Sequence, residues 1–237
     1  MQIQTGAHLL RAIAYPDAHR IVTLMTESDG KVGAIARGAR RSRKRFGGAL
    51  QPCLLLEAAL TRPVRGGEGR LLTLDEVTVR RPFHGLLASL DRIRAAGEAL
   101  EFVRMLAPDG EPQPRLFEAV TLLFERLETA DAERASSICI AFRMRALTLA
   151  GLRPELERCG VSGIACPEGR PALFDPARGS IVSRAHGGGR LLLGPGARKR
   201  LLEALTDGWC EMDPWPAQDR DEAAAALEAF VANHVRN

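Results

Sequence analysis

The sequence predicts an α+β protein: a small five-stranded β-barrel over residues 1–80, then a helical domain over residues 81–237 with an irregular Cys-bearing insertion at 151–196. Three observations carry this reading. Short apolar runs separated by turn residues fill the first third of the chain. A helical period takes over after Pro82. Between Gly151 and Gly196 that period is lost, and glycine and proline accumulate.

The strands are read from Leu9–Ala14, Ile21–Thr26, Val32–Ala36, Leu54–Leu60 and Leu71–Val79. Five short strands with no long helix among them fit a small barrel better than an α/β sheet. Asp29-Gly30 reads as a type I′ hairpin turn, which needs positive φ at both central residues. Gly66-Gly67-Glu68-Gly69 marks a second turn. Beyond Pro82, Leu86, Leu90, Ile93, Leu100 and Val103 fall near one helical face, and Pro108-Asp109-Gly110 with Pro112-Gln113-Pro114 end that helix. A second helix starts near Arg115 with Leu116, Val120, Leu123 and Leu127 as its stripe. A third spans Ala132–Leu149 behind Asp131 as N-cap. Single apolar stripes and short connections predict that these helices pack on one another. Residues 197–206 and 218–235 read as later helices of the same domain, which makes the Cys-bearing segment an insertion without a core of its own.

At 237 residues and 46% hydrophobic composition, folding buries roughly 70–75% of the unfolded surface without disulfide or metal staples. No apolar run approaches the ~18–20 residues of a membrane span. The first residues, Met1 to Thr5, lack the basic and apolar regions of a secretory signal. An odd set of five cysteines argues against a disulfide framework. The expectation is a reduced, cytoplasmic protein with no membrane partner.

The net charge of +4 is unevenly placed. Residues 1–80 carry thirteen Lys/Arg against seven Asp/Glu, a net of +6, and the remainder is at −2. The excess peaks at Arg37, Arg40, Arg41, Arg43, Lys44 and Arg45, and no acid occurs from Gly30 to Leu56. Such density cannot be buried unpaired. Exposed, its field adds up, and guanidinium groups bind phosphate through paired donors. The six cations are therefore candidate DNA-binding residues. Phe46 beside them is a seventh, as a ring to stack on an unpaired base, or alternatively a core anchor. A Gly-Lys-Ser/Thr triplet, a His-Glu-x-x-His pair and a Gly-x-Ser-x-Gly elbow are all absent, so no catalytic residue is assigned and the protein is read as a non-enzyme. His186-Gly187-Gly188-Gly189-Arg190 lacks the strand–helix setting of a phosphate loop and reads as a turn.

Ala14-Tyr15-Pro16-Asp17-Ala18-His19-Arg20-Ile21-Val22-Thr23-Leu24, Asp29-Gly30-Lys31-Val32 and the run Ala36 to Pro52 together resemble the bacterial recombination mediator RecO. The likeness continues more weakly through Gly151-Leu152-Arg153-Pro154-Glu155-Leu156. It implies an N-terminal OB-fold, binding of single- and double-stranded DNA, annealing of complementary strands, and recombinase loading with RecR on strands coated by the single-stranded-DNA-binding protein. It also implies a nucleoid-associated location. Many RecO proteins carry two Cys-x-x-Cys pairs that bind structural zinc. Here Cys159 keeps the first position, Ser162 and Ser183 stand at the second and third, and His186 at the fourth. A set of Cys159, Cys166 and His186 would still lack a fourth ligand, so the sequence predicts no metal and no cofactor. The rival reading is a non-catalytic interaction module whose basic loop reads an acidic partner tail, such as that of the single-stranded-DNA-binding protein.

Overall fold

The computed structural model describes residues 2–63, 71–211 and 213–235. Five strands, β1 (Gln2–Tyr15), β2 (His19–Thr26), β3 (Gly30–Ala36), β4 (Leu54–Thr61) and β5 (Leu72–Pro82), close into a barrel in the order β1-β2-β3-β5-β4. β3 and β5 run parallel and the other neighbours antiparallel. Alternation is clean on β3, where Val32, Ala34 and Ala36 face inward, and on β4, where Leu56, Ala58 and Leu60 do so. The expected turn at Gly66-Gly67-Glu68-Gly69 lies outside the described residues.

The turn chemistry differs from expectation at one hairpin. Between β2 and β3, Thr26 pairs with Gly30, and only Gly30 has positive φ (65°), so Asp29-Gly30 is not a type I′ turn. Thr26 closes the loop instead: its Oγ1 donates to Gly30 O at 2.8 Å and accepts from Asp29 N at 3.1 Å. Glycine is also demanded by the neighbouring chain, because a Cβ at position 30 would lie 1.8 Å from Glu111 O. The I′ geometry occurs between β1 and β2, where Asp17 (φ 60°) and Ala18 (φ 67°) are both left-handed.

The β3–β4 connection holds one short helix, α1 (Arg43–Phe46), and β5 leads through a 3-10 turn into α2 (Leu90–Leu106) and α3 (Pro114–Leu127). The α3 stripe is as expected, with Leu116, Val120, Leu123 and Leu127 buried. The α2 stripe is so only in part: Leu86, Leu100 and Val103 are buried, and Leu90 and Ile93 are not. Leu90 is 80% exposed, and the buried face is Ala95, Ala96, Ala99, Leu100, Phe102 and Val103. Small alanines let α2 approach β1 and α3 closely, which leaves the first-turn leucine on the opposite side.

Compaction divides the chain later than the change in sequence texture does, into units of Met1–Thr129 and Ala130–Asn237. The first unit keeps α2 and α3 because both cover the outside of the barrel. His8 on β1 shows this directly. It is fully buried, with Nδ1 3.1 Å from Leu54 O, Nε2 2.8 Å from Thr121 Oγ1 of α3, and ring contacts to Phe117 and Phe124.

The second unit begins with α4 (Ala132–Leu149), capped by Asp131, whose Oδ1 accepts from Arg134 N at 2.8 Å. The Cys-bearing segment is more ordered than its sequence suggests. β6 (Glu155–Cys159), β7 (Ala172–Asp175), β8 (Ser180–Ile181) and β9 (Leu191–Leu193) form a sheet in the order β6-β8-β7-β9. Strands of two to five residues are too short to show a period. α5 (Pro195–Glu203) and α6 (Ala217–His234) complete the unit. Glu222 of α6 accepts from Gly194 N at the start of α5, so this carboxylate is a cap and not an idle surface charge. No described helix is long and apolar enough to cross a membrane.

Candidate nucleic-acid interface

The basic stretch leaves β3 at Ala36 and turns at Gly38 (φ 67°). Gly38 N donates to His19 Nδ1 at 2.8 Å, and Gly38 O accepts from Arg41 N and Ser42 N, each at 3.0 Å. Arg40 N donates to Ala18 O at 3.1 Å, tying the loop to the β1–β2 turn. Ser42 caps α1 by accepting from Arg45 N, and Gly47 (φ 43°) ends it. The cations therefore sit on a folded loop.

Arg37, Arg40, Arg41, Arg43, Lys44 and Arg45 are all exposed, as the sequence predicts. Arg45 does a second job. Its Nη2 donates to Arg37 O at 2.7 Å, and its guanidinium lies 5.1 Å from the Phe46 ring centroid. Phe46 is a correction to the candidate list. It is 2% exposed and belongs to the barrel core, so its ring anchors the loop and is not presented to a base. The α1 turn points Phe46 inward while its three basic residues face water.

Ion pairing separates this loop from Arg62, Arg80 and Arg81 of the barrel. Arg62 lies against Asp29, Arg80 against Glu27 and Glu57, and Arg81 against Glu125 and Glu128. Among the described residues no carboxylate pairs with any of the six loop cations. Two adjoining depressions open beside them, sharing Arg20, Arg40 and Leu50; Arg43 lines one and Arg11 the other. A surface with unneutralised guanidinium groups around shallow grooves is suited to a polyanion.

The comparisons with known proteins agree with this geometry. Residues 1–83 match the model of the recombination protein O N-terminal domain, and residues 87–237 match that of its C-terminal domain. The DNA repair protein RecO of Anaeromyxobacter sp. (strain K) is 39% identical over 233 residues, covering 96% of this chain and 89% of the relative. Those of Myxococcus xanthus and Geobacter metallireducens are each 34% identical, covering 97% and 98% of this chain and 91% and 92% of the relatives. The chain belongs to the RecO family. Its function accordingly lies in DNA repair and recombination, and the closed five-stranded barrel is the OB-like N-terminal domain of that family.

Within this RecO barrel, Arg11, Ile13 and Arg20 near the loop escape the sequence reading, and Tyr15, which the sequence reads as packing at a strand end and not as binding a base, is exposed. Arg11 and Arg20 reach the grooves from β1 and β2, and Arg20 Nη1 also donates to Leu50 O at 3.2 Å. Tyr15, the sole tyrosine, is 46% exposed at the end of β1 and shares its face with Ile13, 42% exposed. Ile13 pairs with Ile21, and Ile21 with Ile35, so an apolar row crosses β1, β2 and β3 on the outer face. No sequence signal marks these residues, because only the strand register brings them beside the loop. The glycine run at 187–189 is structural: a Cβ on Gly189 would lie 2.3 Å from the Phe174 carbonyl carbon. Among the described residues, no group of three or more His, Cys, Asp and Glu is arranged to hold a metal ion, and Cys159, Cys166 and His186 form no such set.

Proposed function

We propose that the chain is a non-catalytic, DNA-binding recombination mediator acting at the nucleoid. It anneals complementary strands and assists recombinase loading, with RecR, on single strands coated by single-stranded-DNA-binding protein. The observation that carries the reading is the exposed loop of Arg37, Arg40, Arg41, Arg43, Lys44 and Arg45, which has no carboxylate partner among the described residues while Arg62, Arg80 and Arg81 are ion-paired. Phosphate contacts hold a strand without reading its bases, so binding is close to sequence-blind. The same contacts relieve the repulsion between two strands approaching one another.

Fluorescence anisotropy of a labelled single strand across a salt series tests this. With about five phosphates neutralised, the slope of log K against log salt is about −3.5. Replacing Arg40, Arg41, Arg43 and Lys44 by Ala should flatten it to roughly −0.7, since each lost contact removes about 0.7. Arg45 stays in this variant because it braces the loop. A slope that does not change would place the DNA site elsewhere. Absence of binding by the unaltered protein would leave the loop as a reader of acidic peptide tails.

A further inference from the structure

Two loops of the second unit share one pattern. Cys159-Gly160-Val161-Ser162-Gly163 and Ser183-Arg184-Ala185-His186-Gly187 each place two polar side chains three residues apart, followed by a left-handed glycine, Gly163 at φ 70° and Gly187 at φ 98°. This is the spacing with which paired loops grip a structural zinc ion. Three of the four side chains, Cys159, Ser183 and His186, meet directly. Ser183 N donates to Cys159 Sγ at 3.4 Å, Ser183 Oγ lies 3.9 Å from that sulfur, and the same hydroxyl is 2.8 Å from His186 Nδ1. The Ser162 hydroxyl, then the backbone N–H groups of Ser183, Ser162 and Val161, donate toward the Cys159 sulfur and hold its thiol below the ordinary range.

The donor set does not fit zinc. One sulfur and one imidazole are joined by two hydroxyls, which stay protonated near neutral pH, and the Ser183 hydroxyl is engaged with both of the stronger donors. The hydrogen bonds at Cys159 and Ser183 join the loops to each other, and Arg198 fastens the chain on either side of the first loop. Arg198 is 4% exposed on α5 and is directed at backbone carbonyls. Nε donates to Leu156 O at 2.8 Å, Nη1 to Pro167 O at 2.8 Å and Arg170 O at 3.4 Å, and Nη2 to Cys166 O at 2.6 Å. One cation thus ties β6 to the strap at 166–170. A buried guanidinium satisfied by several carbonyls is a directional, permanent positive centre, which is the organising role a bound ion otherwise fills.

We propose that residues 155–193 form a metal-independent knuckle, in which the Arg198 guanidinium and hydrogen bonds converging on Cys159 and Ser183 replace a tetrahedral metal ion. Two substitutions, Ser162→Cys and Ser183→Cys, then suffice to turn the same loops into a three-thiolate, one-imidazole site.

The test uses the full chain, expressed with zinc in the medium. The unaltered protein should carry substoichiometric zinc, melt at the same temperature with and without EDTA, and give no tetrahedral thiolate spectrum with Co2+. The Ser162→Cys/Ser183→Cys protein should bind equimolar Co2+ with that spectrum, and its melting should become chelator-sensitive. Arg198→Met should lower the melting temperature by roughly 5–10 °C. Arg198→Lys, which keeps the charge but cannot span the four carbonyls, should also melt early and covers the case in which Arg198→Met fails to fold. Equimolar zinc in the unaltered protein with a chelator-dependent melt would overturn the proposal. So would a double-Cys protein indifferent to Co2+, or Arg198→Lys melting with the unaltered protein.

Discussion

At position 8 the barrel buries an imidazole where its neighbours Ala7 and Leu9 bury hydrocarbon. His8 is wedged between β1 and α3, and burial pulls its pKa from the ordinary 6.5 down to about 4, against a smaller upward pull from the Leu54 carbonyl. The neutral tautomer satisfies both contacts: Nδ1–H donates to Leu54 O, and Nε2 accepts from the Thr121 hydroxyl. Protonation would place an unpaired cation among Phe117 and Phe124. Between pH 6.5 and 4 the unfolded chain therefore binds the extra proton and the folded chain does not. The sign follows from proton linkage: stability is intact above 6.5 and is lost as pH falls toward 4, by about 2 kcal/mol between pH 7 and pH 5. Urea unfolding at those two pH values measures it. His8→Gln, whose amide can make both hydrogen bonds without titrating, should shrink the pH difference by that amount. An unchanged difference would mean that His8 is not the group responsible.

Among the elements, the loop at 37–48 and the end of β1 divide two aromatic roles that the sequence leaves open. Phe46 is inside the barrel and Tyr15 outside it, although Phe46 stands in the basic run and Tyr15 lies four residues from its nearest arginine, Arg11 on β1. Tyr15→Ala should weaken single-strand binding by about 1–3 kcal/mol, the worth of a stacked base, with no loss of melting temperature. Phe46→Ala should cost about 3–5 kcal/mol of stability through the cavity it leaves. Anisotropy titrations paired with thermal melts separate the two, and a Tyr15→Ala protein that binds normally would remove the outer apolar row from the interface. The same pair shows where sequence reading succeeds. The α3 stripe is legible because its apolar residues repeat at steps of three and four against one neighbour. The first half of β1 is illegible as a strand because α2 and α3 bury its outer face too, so Thr5 to Leu10 show no alternation. Leu90 misleads for the opposite reason: an apolar residue at the right spacing need not be on the packed face when alanines are.

Across the whole molecule, charge is the property most fully written in the sequence and register the least. The six loop cations are adjacent along the chain, so their number and exposure can be read directly, whereas Arg11 and Arg20 join them only through the pairing of β1 with β2. The chain's overall +4 conceals a first third at +6 and a remainder at −2, and among the described residues the ion pairs of Arg62, Arg80 and Arg81 narrow the free positive surface of the barrel further, to the loop with Arg11 and Arg20 beside it. For the annealing role proposed above, this concentration is the relevant property. Two single strands repel along their length, and salt screens that repulsion beyond about 10 Å at 0.1 M. A protein that gathers several guanidinium groups within one such distance lowers the repulsion where the strands first meet, which accelerates encounter without favouring any sequence. The expected outcome is that the unaltered protein speeds annealing of complementary oligonucleotides at low salt, measured by quenching of a donor and acceptor pair on the two strands. The variant lacking Arg40, Arg41, Arg43 and Lys44 should lose on the order of tenfold or more of that acceleration, and rising salt should bring the two proteins together. If the variant anneals strands as fast as the unaltered protein at low salt, phosphate neutralisation by this loop is not how the chain brings strands together.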